Sequence, residues 1–243
     1  MTRILASINS LEEAQLIQTF DIDIIDLKQP AEGALGALDK GTVQRIIAEI
    51  AGRCPVSATI GDLPMLPHRV APAVADMAET GVDYIKIGFF PGHDWLACIE
   101  ALSQFSDDHA LIAVLFADCQ PSFSVLRQLK QAGFTGVMLD TMDKRKGSLN
   151  DIMTMPRIAQ FIKLAKQLDL LTGLAGSLKS SDIATLLPLH ADYLGFRGAL
   201  CAHHNRIAAL APNKIAALIA CFHAPPAMEK IAQANKHTPE PTL

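Results

Sequence analysis

Short apolar runs alternate with longer amphipathic stretches along most of the chain. Arg3 to Ile8 reads as a first strand; Asn9 or Ser10 can cap the helix that follows, with Glu12 and Glu13 in its first turn at the positive end of the helix dipole. Ile22 to Lys28 reads as the second strand. Asp39 to Ala51 sets Val43, Ile46, Ile47 and Ile50 at helical spacing and stops near Gly52. The same reading predicts strands over Pro55–Gly61, Tyr84–Phe89, Leu111–Ala117, Gly136–Thr141, Leu170–Ser177 and Tyr193–Gly198. Between and after them it predicts helices over Val70–Thr80, His93–Gln104, Ser122–Gln131, Pro156–Asp169, Ser180–Leu187 and about Pro212–Phe222. Strands alternating with helices imply a parallel sheet, and eight such units predict a single (β/α)8 TIM barrel over residues 1–224. An open doubly wound sheet is the alternative. No GxGxxG follows the first strand and no Walker motif is present, which counts against its dinucleotide and P-loop versions and leaves no cofactor expected. From Pro225 to Leu243 the composition turns to Pro, Lys and polar residues, and a disordered tail is expected.

Composition narrows the class. The 243 residues are half hydrophobic and 5% aromatic, so the core is aliphatic, as a helix-covered parallel sheet requires. A net charge of −4 offers no basic surface for nucleic acid. The five cysteines (Cys54, Cys98, Cys119, Cys201, Cys221) are odd in number, with no CxxC pair, as expected for reduced thiols in a cytoplasmic protein. Cys54 and Cys201 read as small buried apolar groups. His203-His204 lacks the spacing of a metal pair on a helix, and no metal site is expected. The N-terminal apolar run is too short for a signal peptide, and no stretch suits a membrane span. A homo-oligomer is compatible with the pattern, because edge-free barrels commonly pack through their outer helices.

The chemistry centres on Asp23-Ile24-Ile25-Asp26-Leu27-Lys28-Gln29-Pro30-Ala31-Glu32-Gly33. Strand alternation puts Asp26 and Lys28 on one face and Ile25 and Leu27 on the other. Charges buried on a central strand are costly unless they pair or react. A structural ion pair and a Schiff-base lysine both fit this motif. Parity extends the set: Lys86 falls on strand four, Asp140 on strand six and Arg197 on strand eight, near C-terminal ends and on alternate strands. In a barrel such residues converge at the mouth, where these enzymes work. Lys144, in the run Lys144-Arg145-Lys146, reads from position alone as a solvated loop cation. Asp62 suits either the mouth or solvent. The segments Gly173-Leu174-Ala175-Gly176-Ser177 and Gly195-Phe196-Arg197-Gly198 end strands seven and eight, the usual phosphate position of this fold. Gly176, Ser177, Gly195, Arg197 and Gly198 are therefore the candidate phosphate ligands, with Arg197 expected to grip bidentately.

Those segments, with Val56-Ser57-Ala58-Thr59-Ile60-Gly61-Asp62, Asp83-Tyr84-Ile85-Lys86-Ile87-Gly88, Met138-Leu139-Asp140-Thr141 with Lys144, and Leu174-Ala175-Gly176-Ser177-Leu178-Lys179, together resemble the (5-formylfuran-3-yl)methyl phosphate synthase family. The similarity continues through Gly198-Ala199-Leu200-Cys201 and runs from about residue 4 to residue 222. It implies a TIM barrel with chemistry similar to class I aldolases. It further implies condensation of two molecules of glyceraldehyde 3-phosphate into 4-(hydroxymethyl)-2-furancarboxaldehyde phosphate, with loss of phosphate and water. That product is a furan precursor of methanofuran-type one-carbon carriers. By resemblance Lys28 forms the Schiff base, Lys86 accepts a proton, and Asp26, Asp140 and Lys144 are further active-site positions. The partner implied is a small triose phosphate. After Cys201 the family usually continues with glycines and an acidic-arginine pair; here the chain reads Ala202-His203-His204-Asn205-Arg206. Two rival readings are a decarboxylase barrel acting on a phosphorylated substrate and a non-catalytic barrel that binds a phosphate ligand.

Overall fold

The structure is a computed structural model that describes residues 1–92 and 95–223. Eight parallel strands close into a barrel in chain order: β1 (Arg3–Ile8), β2 (Ile24–Leu27), β3 (Val56–Thr59), β4 (Tyr84–Phe89), β5 (Ala110–Phe116), β6 (Gly136–Asp140), β7 (Leu171–Leu174) and β8 (Tyr193–Phe196). The helices are α1 (Leu11–Ile17), α2 (Lys40–Ile50), α3 (Pro67–Ala78), α4 (Trp95–Leu102), α5 (Val125–Gln131), α6 (Leu149–Ile152), α7 (Met155–Gln167), α8 (Ile183–Leu186) and α9 (Pro212–His223). The expected tail at 225–243 lies outside the described residues, as do His93 and Asp94 at the expected start of the fourth helix. Among the described residues no helix is long and apolar enough to cross a membrane.

The outward side chains of the strands, including Ile25, Leu27, Ile85, Ile87, Val137 and Leu139, are buried beneath the helices and form most of the core. Inside the barrel, Leu5, Ile24 and Tyr193 cluster together, and a second cluster joins Val114, Phe116, Met138 and Ala175 to Ala34 and Leu35. A Cβ on Gly173 or Gly195 would come within 2.9 or 3.1 Å of the Met138 side chain. Both glycines therefore make room for Met138 in the barrel interior.

One device recurs beside three of the strands. Asp23, Asp83 and Asp192, each just before β2, β4 or β8, accept from the backbone N–H of Ile4, Val56 and Thr172 on the preceding strand, at 2.7, 2.7 and 2.8 Å. The equivalent position before β6 is Thr135, whose N–H donates to Leu111 O at 3.0 Å.

α5 starts at Val125 rather than Ser122, and two further helices differ from the sequence expectation for identifiable reasons. α3 starts at Pro67 rather than Val70 and carries Pro72 inside it. Proline needs no N–H partner in a first turn, so Pro67 opens this helix instead of ending the preceding loop. α6 was not expected; Asp151 holds its start by accepting from Ser148 N at 2.8 Å.

Candidate active site

β2 delivers Asp26 to the barrel interior, where it is fully buried. Its Oδ2 accepts from Ser7 Oγ on β1 at 2.8 Å, and its Oδ1 accepts from Ser57 Oγ on β3 at 2.6 Å. Lys86 Nζ on β4 donates to the same Oδ1 at 2.9 Å and is itself 3% exposed. Burial works to raise the Asp26 pKa. The Lys86 and Lys28 ammonium groups and the Ser57 hydrogen bond outweigh it, so the carboxyl stays below its ordinary range.

A second pair stands across the barrel. Lys144 Nζ donates to Asp140 Oδ1, and Thr141 N donates to the same oxygen at 2.7 Å. Burial of Asp140 is likewise outweighed, by Lys144 and Lys28, and its carboxyl is also held low. The loop that carries Lys144 is fixed from β5: Asp118 accepts from Met142 N and Asp143 N at 2.8 and 2.9 Å. Lys144 is thus drawn into the mouth, while its neighbour Arg145 pairs with Asp143 at the exposed rim.

Lys28 follows the last residue of β2 and is 7% exposed. Among the described residues its Nζ has no hydrogen-bond acceptor and no ion-pair partner, because Asp26 is engaged by Lys86 and Asp140 by Lys144. Desolvation lowers its pKa to about 8; Asp140 and Asp26 oppose this, while Lys144 and Lys86 reinforce it. At neutral pH roughly one amine in ten is then unprotonated, against fewer than about one in a thousand for an ordinary lysine.

The β2 loop beyond Lys28 is held by Asp62, which accepts from Ala34 N and Leu35 N at 2.8 and 2.7 Å. Gly33 has φ of +117°, and a Cβ there would lie 2.1 Å from Asp62 Oδ2, so this close approach requires glycine. Asp62→Ala leaves two amides without their acceptor. It is expected to cost about 1–3 kcal/mol, measured by denaturant titration.

The phosphate candidates divide. Gly176, Ser177 and Gly198 line one cavity of about 800 Å³ together with Asp26, Lys28, Lys86, Asp140 and Lys144. Among the described residues the backbone N–H groups of Gly176, Ser177, Gly198 and Ala199 have no protein acceptor. Ser148 also lines this cavity, where it opens α6 with Asp151, and its neighbour Leu149 donates N–H to Gly176 O at 2.9 Å. Gly195 borders the cavity too, and a Cβ there would press on Met138 at 3.1 Å.

Arg197 needs a correction. It borders the cavity, but its guanidinium pairs with buried Glu13 through both carboxylate oxygens. It also donates to Arg206 O at 2.8 Å, Ser7 O at 3.2 Å and Ala208 O at 3.1 Å. All five of its N–H groups are thus engaged, leaving none for phosphate. Glu13, expected as a first-turn dipole acid, is instead the partner of this arginine, and it also accepts from Asn9 N at 3.0 Å. Arg206 is a cavity-lining cation to which the sequence alone assigned no role. The departure after Cys201 was the available signal.

With this geometry in place, comparison with known proteins decides the family. The family model for 4-HFC-P synthase matches residues 4–219. The chain belongs to the 4-HFC-P synthase family. A relative in Methylorubrum extorquens, provisionally named (5-formylfuran-3-yl)methyl phosphate synthase, is 39% identical over 92% of this chain and 93% of its own. The (5-formylfuran-3-yl)methyl phosphate synthase of Methanopyrus kandleri is 32% identical over 84% and 91%. Among solved structures, phosphoribosyl anthranilate isomerase from Thermus thermophilus aligns with a TM-score of 0.65 over 91% of this chain and 98% of its own. At 15% identity that likeness is one of fold. As a member of the 4-HFC-P synthase family the chain is an enzyme, and the lysine-lined cavity at the barrel mouth is its candidate active site.

Proposed function

We propose that this enzyme condenses two molecules of glyceraldehyde 3-phosphate into (5-formylfuran-3-yl)methyl phosphate through a Schiff base on Lys28. One inorganic phosphate and two water molecules leave. The observation that carries the mechanism is the division of labour among three lysines: Lys86 and Lys144 are each bound by a carboxylate, whereas Lys28 has none among the described residues and its pKa is brought to about 8. An unprotonated amine adds to the aldehyde carbon, water departs, and the resulting iminium accepts the electron pair when the neighbouring C–H is deprotonated. Lys86 carries that proton, with Asp26 as its partner. Lys144 with Asp140 forms a second proton-transfer pair for the dehydrations. The free N–H groups after β7 and β8 suit a phosphate. The product serves as furan precursor of a methanofuran-type carrier, made in the cytoplasm.

Borohydride trapping with glyceraldehyde 3-phosphate, followed by intact-protein and peptide mass analysis, tests the reading. A reduced adduct on Lys28 supports it, and an adduct on Lys86 exchanges the two lysine roles. No adduct, with the triose phosphate unconsumed, overturns it. The trapping rate is expected to climb with pH and level off above about 8, as the Lys28 amine deprotonates. A plateau reached below pH 6 would contradict a Lys28 nucleophile with this pKa. The depressed pKa also has a sign for stability. Between about 8 and 10.5 the unfolded chain holds a proton on Lys28 that the folded chain lacks, so this group makes stability rise with pH across that window.

A further inference from the structure

Beyond β8 the chain forms a closed loop whose base is pinned by the antiparallel bridge Cys201↔Leu210 and by Ala202 N donating to Ala209 O at 3.1 Å. Arg197 holds this loop from below through the carbonyls of Arg206 and Ala208. The Arg206 side chain leaves the loop next to Gly198, where a Cβ on the glycine would lie 3.9 Å from Arg206 Cβ. It then reaches past the end of β1 to donate to Gly33 O on the β2 loop at 2.8 Å. The guanidinium therefore lies on the β2 side of the cavity, away from Gly176 and Ser177 on the β7 loop.

This arginine is half-buried and lines the cavity. Among the described residues it makes no ion pair, and the bond to Gly33 O engages one of its five N–H groups. Desolvation lowers its pKa; Asp140 and Asp62 act on it from a distance and raise it. A partly desolvated guanidinium with four vacant donors is suited to bidentate contact with a phosphate monoester. The free amides of Gly176 and Ser177 offer one anion position, and Arg206, held to the β2 loop, offers another. The proposed reaction brings two phosphorylated molecules into this one cavity.

We infer that Arg206 forms a second anion subsite at the β2 edge of the cavity, which takes the phosphate of the second triose phosphate. The inference rests on the proposed condensation for the identity of the ligand, and on geometry for the subsite itself.

Arg206→Gln separates the two. Glutamine keeps an N–H donor for Gly33 O and removes the charge. Calorimetric titration of the whole protein with inorganic phosphate is expected to give two sites for wild type and one for Arg206→Gln. The lost site is expected to weaken about 10- to 100-fold, the worth of a charged hydrogen bond, and Arg206→Lys to recover part of it. In Arg206→Gln, furan product is expected to fall by a similar factor while borohydride still traps an adduct on Lys28. A single site in wild type, or two undiminished sites in Arg206→Gln, overturns the subsite. Two sites in wild type and one in the variant, with no Lys28 adduct in either protein, retain the anion subsite and overturn the condensation.

Discussion

Lys28→Arg is expected to lower product formation by on the order of 10⁴- to 10⁶-fold, the range seen when a covalent nucleophile is removed. Arginine keeps a positive charge beside Asp26 and Asp140 but stays protonated and forms no imine. The fold is expected to survive, because Lys28 pairs with no described carboxylate that the change would strand. Borohydride trapping should yield no adduct at residue 28, while circular dichroism and melting remain near wild type. Activity within about tenfold of wild type would remove Lys28 from the chemistry and leave Lys86 as the amine to test.

Arg197→Met is expected to act on stability first. It strands the Glu13 carboxylate in a buried setting and leaves the carbonyls of Ser7, Arg206 and Ala208 without a donor. Breaking a buried pair on one side costs about 3–5 kcal/mol, which in a chain of this size lowers the melting temperature by roughly 6–20 °C. A phosphate-binding arginine would behave the other way, with KM raised and melting unchanged. Changing both partners, Glu13→Leu with Arg197→Met, should restore much of the lost stability, because it removes the uncompensated charge. Calorimetric melting of the three variants decides between these outcomes.

These cases mark how far the chain could be read without coordinates. Asp26, Lys86 and Asp140 were legible because a strand alternates faces, and a charge between aliphatic neighbours declares which face is interior. Parity also brought Arg197 to the cavity wall, but it says nothing of what the guanidinium binds there. Its partner, Glu13, lies 184 residues earlier, and nothing local to either residue announces the pairing. Lys144 looked solvated because its placement depends on Asp118, a contact across loops that local pattern does not encode. The barrel itself was legible, since eight apolar runs separated by amphipathic stretches leave few other arrangements.

The aspartates before β2, β4 and β8 divide the barrel into two-strand quarters. In three quarters a side chain of the second strand's approach fastens the first strand's opening amide, so neither strand frays without releasing the other. The β5–β6 quarter has backbone contact at Thr135 and lacks the carboxylate among the described residues. Cooperative opening follows the boundaries between such units. In native-state hydrogen exchange, the amides of Ile4, Val56 and Thr172 should be slow for residues at the rim of a sheet, and each should speed up when its own aspartate is changed to alanine. The β5–β6 quarter relies instead on pairing length: its ladder registers five residue pairs, against two for β7–β8. Asp140 sits at the end of β6, so its ion pair with Lys144 hangs on that longer ladder, while Asp26 and Lys86 hang on strands fastened by side chains.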